Sequence, residues 1–250
     1  MSLVITERTE HLLVIRMCRE EKRNAVDRQL ADELNDAFNL LEDDADLWVG
    51  ILTGTDSVFS AGSDLTAGGD YWTDRGGEYG LIRRNRRKPL IAAVEGPALG
   101  GGLELVLACD LVVASTTARL GLPEVKRGLV ATCGALFRGP RSLPVNLARE
   151  MLLTGDPIDA ERGYAAGLVN VVAGPGEAVT AAKTLAHRIC VNAPVAVQAS
   201  LTALNQTLTT QDEVGWTLTA GAVATIRTSH DYEEGISAFL NKRAPRWSGR

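Results

Sequence analysis

The chain has 250 residues, 45 % hydrophobic and 23 % charged, so it is long enough to bury a sizeable core and too apolar for a disordered polymer. Its 26 Lys and Arg stand against 31 Asp and Glu, and the net charge of −5 argues against a broad nucleic-acid surface. Three His (His11, His187, His230) and four dispersed Cys (Cys18, Cys109, Cys133, Cys190) supply neither a zinc ligand set nor a disulfide framework. The thiols read as those of a reduced, cytoplasmic protein. No basic start followed by an apolar core marks a signal peptide. The most apolar stretch, 90–113, is broken by Glu95, Gly96, the run Gly100 to Gly102, Glu104 and Asp110, which a membrane span tolerates poorly.

In chain order, Leu3 to Thr6 and Leu12 to Met17 read as a first hairpin. Leu30, Leu34, Phe38 and Leu41 fall at helical spacing, so 26–41 is an amphipathic helix. Trp48 to Thr53 and Leu90 to Val94 are short apolar runs, expected as buried strands. Between them, 66–80 reads as a mobile loop leading into a helix that ends near Lys88. A glycine-rich turn then opens a helix over 101–108, followed by a strand over 111–114. Pro144 suits the first position of a helix reaching Leu153. Helices are expected over 160–166 and 180–191, with a strand over 169–172. After Pro194 the pattern is only helical, over 195–208, 213–228 and 232–241. The chain is thus α/β, with strands and helices alternating up to about Cys190 and an all-helical tail.

Three segments carry chemistry. Phe59-Ser60-Ala61-Gly62-Ser63-Asp64-Leu65 follows a strand, and its small residues let a ligand approach backbone N–H groups; equally, it reads as a tight turn with Asp64 as a helix cap. In Glu95-Gly96-Pro97-Ala98-Leu99-Gly100-Gly101-Gly102-Leu103-Glu104-Leu105, a helix N-terminus presents free N–H groups, and Glu104 sits among apolar neighbours. A nucleotide-binding loop fails there, because Leu105 stands where the third glycine should be and no G-K-[ST] follows. Leu120-Gly121-Leu122-Pro123-Glu124-Val125 places a second Glu after a Pro. Two carboxylates suit acid–base chemistry on one water, but nothing in the spacing brings Glu104 and Glu124 together.

These segments resemble the crotonase (enoyl-CoA hydratase/isomerase) superfamily. The likeness includes Glu21-Lys22-Arg23-Asn24-Ala25, Ala108-Cys109-Asp110-Leu111, Leu122-Pro123-Glu124-Val125-Lys126-Arg127 and Phe239-Leu240-Asn241-Lys242-Arg243, in order over nearly the whole chain. It implies a spiral of ββα units over 1–190 and a helical, trimerising segment over 191–250, acting as one functional domain. It implies an acyl-CoA thioester substrate, no metal, and no cofactor beyond the coenzyme A of the substrate. By position, the Ser63 and Gly101 amides would form an oxyanion hole, a device whose single donors typically contribute ~3–4 kcal/mol. Glu104 would help activate the water added at Cβ, and Glu124 would supply the proton to Cα. Lys22, Arg23 and Ala25 match the loop along the CoA moiety, and Ala61, Asp64 and Leu65 the pantetheine tunnel. Phe239 and Lys242 match residues that reach the CoA of a neighbouring subunit in a homotrimer or a dimer of trimers.

The implied activity is hydration of a trans-2-enoyl-CoA in fatty acid metabolism. Isomerisation or carnitinyl-type dehydration on the same scaffold, or acyl-CoA binding without turnover, are the alternatives. Three positions depart from the family pattern: Thr132 replaces a glycine near the catalytic water, Glu20 a Pro, and Thr66 a Lys. The basic run Arg83-Arg84-Asn85-Arg86-Arg87-Lys88 reads as a solvated helix face, with a phosphate site as the rival. Cys133 reads as a buried small side chain, and Tyr71 and Trp72 as pocket-lining or loop-anchoring groups.

Overall fold

A computed structural model describes residues 2–69 and 71–249. The first half runs β1 (Val4–Thr9), β2 (Leu12–Met17), α1 (Arg28–Asp43), β3 (Val49–Thr53), a small hairpin β4 (Trp72–Thr73) and β5 (Gly77–Glu78), β6 (Leu90–Val94), β7 (Pro97–Leu99) and α2 (Gly101–Leu107). There follow β8 (Leu111–Ser115), β9 (Arg119–Gly121), α3 (Ala135–Ser142), α4 (Val145–Thr154), β10 (Ile158–Asp159), α5 (Ala160–Ala165), β11 (Val171–Ala173) and α6 (Ala178–Cys190). The tail is α7 (Pro194–Arg227) and α8 (His230–Leu240).

The main sheet has the order β1-β2-β3-β6-β8-β11, antiparallel only between β1 and β2. Parallel strands covered on both faces need apolar side chains throughout, and β3 and β6 are buried at every residue. One face packs on α1, whose N-cap Asp27 accepts a hydrogen bond from the Leu30 amide at 2.9 Å and whose Leu30, Leu34, Phe38 and Leu41 are buried. The other face packs on α6 through Ala178, Ala182 and Ala186, small enough to let the helix lie close.

A second, smaller layer positions the site. β7 pairs with β9 and β9 with β10, while single bridges join Ser60 to Ala98 and Val26 to Ser63. Each turn of the chain thus lays one strand in the main sheet, one rung in this layer, and then a helix or helical turn, which is the ββα spiral the resemblance implied. Ser60, Ala98 and Leu120 are neighbours across three rungs. Ser63 lies three residues after the first, Gly101 three after the second, and Glu124 four after the third.

Several expectations are corrected. No helix follows 66–80; the segment closes as the β4–β5 hairpin and turns. Gly80 is part of the reason: it has φ +74, and a Cβ there would stand 2.6 Å from the Asn35 amide of α1. The basic run therefore forms no helix face, and Arg86 and Lys88 within it are buried. Arg86 is buried against Asp110 (2.6 and 2.8 Å), Arg84 bonds Asn35 and Asn39, and the Lys88 ammonium donates to the carbonyls of Leu41 and Asp44. The two helices expected over 195–208 and 213–228 are one, because the polar residues between them include no Pro or Gly to break it. The strand expected over 169–172 lies at Val171–Ala173. β7, β9 and β10 have two or three residues each, too short to show a period, and α3 carries Pro140 within it. Asp64 caps no helix; its carboxylate holds a turn through the Thr66 amide and hydroxyl (3.0 and 2.6 Å).

Candidate active site

Four expected residues converge where the second layer meets α2. The turns carrying Ser63 and Gly101 touch: a Cβ on Gly62 would stand 2.7 Å from the Gly101 amide nitrogen and 2.9 Å from the Leu99 carbonyl oxygen. Gly62 has φ +89, so only glycine takes up this close approach without strain. On the opposite edge of its segment, Val26 donates to the Gly62 carbonyl (2.7 Å) and accepts from the Asp64 amide (2.9 Å). That pairing leaves the Ser63 amide pointing the other way. Among the described residues, neither the Ser63 nor the Gly101 amide donates to a backbone or side-chain acceptor. Gly101 is the first residue of α2, where amide groups have no intrahelical partner and the helix dipole is positive.

Glu104 lies in the first turn of α2 and is 2 % exposed. Its Oε1 accepts from the amides of Cys133 (2.7 Å) and Ala135 (3.0 Å). Burial, then the neighbouring charge of Glu124, pushes its pKa well above the usual carboxylate range, against the two amides, which lower it. Glu124 sits in the 3-10 turn Pro123–Arg127 that follows β9. Its Oε1 would be 3.2 Å from a Cβ on Gly100, so the carboxyl lies over the residue preceding Gly101. Its Oε2 is buried without a hydrogen-bond partner among the described residues. Burial raises this pKa also, partly opposed by Arg127. Two buried carboxyls that repel one another titrate as a unit and retain a proton further toward neutrality than free ones.

The other expected residues flank this centre. The turn Lys22 to Ala25 is fixed by two left-handed residues, Arg23 (φ 52) and Asn24 (φ 50). The Asn24 side chain is buried and donates to the carbonyls of Val58 and Phe59, and the Ala61 amide donates to the Arg23 carbonyl (2.9 Å). Lys22, Arg23, Ala25 and Ala61 are thereby brought beside Ser63. Arg19 ties the edge together through Asp27 and Asp64. Leu65 is half-buried in the turn after Asp64. Thr132 is half-buried, its hydroxyl 3.6 Å from the Cys133 sulfur.

Phe239 and Lys242 stand apart, at the end of α8. That helix packs on the Glu124 turn of its own chain: a Cβ on Gly235 would overlap the Arg127 carbonyl, and one on Gly128 the Asp231 carbonyl. The Phe239 ring faces the Arg127 guanidinium at 4.8 Å.

Some residues at the centre were not found by sequence reasoning. The amides of Cys133 and Ala135 hold Glu104, although only the thiol of Cys133 drew attention. That thiol is buried, and burial keeps it protonated. Tyr79 bonds Ser63 side chain to side chain, and its flanking glycines mark only a turn.

The model of the enoyl-CoA hydratase/isomerase family matches residues 7–250. The chain is 36 % identical to the Mycobacterium tuberculosis enoyl-CoA hydratase EchA19, over 98 % of this chain and 96 % of that one. It is also 36 % identical to a Proteus mirabilis carnitinyl-CoA dehydratase, over 100 % and 99 %. Its structure superposes on that of a Mycobacterium avium carnitinyl-CoA hydratase with a TM-score of 0.95 and 38 % identity, each chain wholly covered. With this likeness along its whole length, the chain belongs to the enoyl-CoA hydratase/isomerase family, and is a hydro-lyase enzyme with the crotonase fold.

Proposed function

We propose that the chain adds water across a trans-2-enoyl-CoA to give the 3-hydroxyacyl-CoA, as a step of fatty acid metabolism in the cytoplasm. The observation that carries this reading is the pair of carboxyls, buried Glu104 and half-buried Glu124 with its Oε2 enclosed, beside two amides with no partner among the described residues. The Ser63 and Gly101 amides hold the thioester oxygen as negative charge develops on it. Glu104, ionised and held by Cys133 and Ala135, takes a proton from the water whose oxygen bonds to Cβ. Glu124, protonated, delivers its proton to Cα, and the unpartnered Oε2 suits a group whose partner arrives with the substrate. The pair ends with its proton on Glu104, and exchange with water resets it. A pair that shares one proton near neutrality supplies one acid and one base.

Lys22, Arg23 and Ala25 line the CoA moiety in this reading, and Ala61, Asp64 and Leu65 the pantetheine. The Asp64 carboxylate is already occupied by Arg19 and Thr66, so its contribution is through the backbone. Coenzyme A enters as part of the substrate, and no further cofactor takes part. The tail supports a homotrimer or a dimer of trimers: Val191, Val195, Leu204, Val214 and Leu218 are exposed apolar side chains at or along α7. Phe239 and Lys242 would then reach a neighbour's CoA from the end of α8. No helix among the described residues is long and apolar enough to cross a membrane.

Dehydration of a carnitinyl-type thioester is the second reading, favoured by the whole-chain likeness to carnitinyl-CoA enzymes. It runs the same proton transfers in reverse. The test is turnover of enoyl-CoA thioesters of graded chain length, followed as loss of the conjugated-thioester absorbance, with carnitinyl-CoA alongside. Hydration of short enoyl-CoA supports the first reading; release of water only from carnitinyl-CoA supports the second.

A further inference from the structure

Tyr79 is fully buried, and its hydroxyl reaches both oxyanion turns. Its Oη lies 2.6 Å from the Ser63 Oγ. On its other side, the ring presses against Gly101, where a Cβ would overlap the Tyr79 hydroxyl. The residue is held in an unfavourable conformation to do this. Its φ is +57, uncommon for a bulky side chain, and it is kept there by the Tyr71 carbonyl, which accepts from its amide at 2.9 Å, and by Gly80 docking on α1. The Tyr71 ring packs beside it at 4.8 Å between centroids. A strained, buried polar side chain lodged between two site segments is a device for fixing their spacing.

We propose that Tyr79 is a positioning residue, whose buried hydroxyl braces Ser63 against Gly101 and so sets the separation of the two amides that take up the thioester oxygen. The inference rests on the oxyanion reading above. A shift of a few tenths of an ångström between fixed donors weakens transition-state stabilisation while leaving ground-state binding of the long CoA moiety unchanged. Tyr79 therefore acts on kcat and hardly on KM.

The test compares wild type with Tyr79→Phe, Ser63→Ala and the double variant in two assays. One is steady-state hydration of crotonyl-CoA. The other is the absorbance of bound acetoacetyl-CoA, a β-ketoacyl thioester whose enolate an oxyanion site stabilises without any turnover. Tyr79→Phe is expected to lower kcat about tenfold with KM within about twofold, and to lower the enolate fraction in step. Ser63→Ala, which removes the same bond from its other end and leaves the ring packing intact, is expected to match it. The double variant should be no worse than either by more than about twofold. A Tyr79→Phe enzyme that keeps both kcat and enolate absorbance within about twofold of wild type overturns the inference, as does a double variant whose losses multiply. Should Tyr79→Phe melt early, Ser63→Ala decides alone. A wild type that hydrates nothing yet draws acetoacetyl-CoA to its enolate overturns the hydratase reading and leaves the brace to the enolate assay. A wild type that gives no enolate overturns the brace.

Discussion

The Cys133 amide donates to Oε1 of Glu104 at 2.7 Å, across 29 residues of sequence. With the Ala135 amide at 3.0 Å, it fixes one oxygen of a carboxyl whose pKa burial and the Glu124 charge still hold above the usual carboxylate range. Glu124 brings a second carboxyl, whose buried Oε2 has no hydrogen-bond partner among the described residues. The two are chemically alike and differently held, which suits them to the proposed roles of base and acid.

Glu104→Gln and Glu124→Gln each remove one proton-transfer partner while preserving shape. Hydration of crotonyl-CoA should fall by about 10²–10⁴-fold in each. Acyl-CoA affinity, measured by calorimetry, should stay within about threefold, because the proposed CoA contacts lie on other segments.

The same pair sets a pH dependence. The kcat/KM profile should be bell-shaped, since one carboxyl must be ionised and one protonated. Stability follows with a definite sign. Both carboxyls bind their protons more tightly in the folded chain, so the folded state holds more protons between the ordinary carboxyl range and the raised values. Their contribution to stability therefore falls as pH rises through that window. Glu104→Gln removes one ionisable member, so its melting temperature relative to wild type should rise from about pH 5 to about pH 8, by the equivalent of about 1–2 kcal/mol.

Gly62→Ala should cost at least about 2 kcal/mol in denaturant unfolding, since it combines a positive φ with a close approach to backbone. Here the methyl would meet the Gly101 amide and the Leu99 carbonyl, neither of which can swing away. Hydration should fall more steeply than stability, because the displaced amide is one of the two proposed oxyanion donors.

Thr132 is half-buried next to Cys133, whose amide holds Glu104, so Thr132→Gly should widen the proposed acyl site. The ratio of kcat/KM for an eight-carbon over a four-carbon enoyl-CoA is expected to rise by about threefold to tenfold, the scale of one or two methylenes accommodated. An unchanged ratio over the chain-length series would mean that Thr132 does not limit the acyl group.

Arg86→Ala should destabilise the fold by about 3–5 kcal/mol, because it strands the Asp110 carboxylate in a mostly buried site. The guanidinium now makes two bonds to that carboxylate and one each to the Ala108 and Lys88 carbonyls. The KM for acyl-CoA should not change, which a phosphate-binding role for the basic run would not allow.

The sequence by itself determined the elements with strong patterns. The spacing of Leu30, Leu34, Phe38 and Leu41 specifies α1, and the apolar runs at 48–53 and 90–94 specify buried strands. The ordered motifs around Ser63, Gly101, Glu104 and Glu124 pointed to the family and to the residues of the site. Tertiary structure decided what no local pattern carries. Strands of two or three residues, such as β7, β9 and β10, exist only because neighbouring rungs supply their hydrogen bonds. Arg86 and Lys88 look like surface charges until Asp110 and the carbonyls at the end of α1 come to meet them. Tyr79 carries no motif, and its place behind Ser63 and Gly101 follows from a loop clamped on α1. The convergence of the two glutamates depends on the pitch of the spiral, which stacks three rungs so that residues 63, 101 and 124 leave them on one side. That pitch is set by packing between turns of the chain, and residues far apart in sequence determine it together.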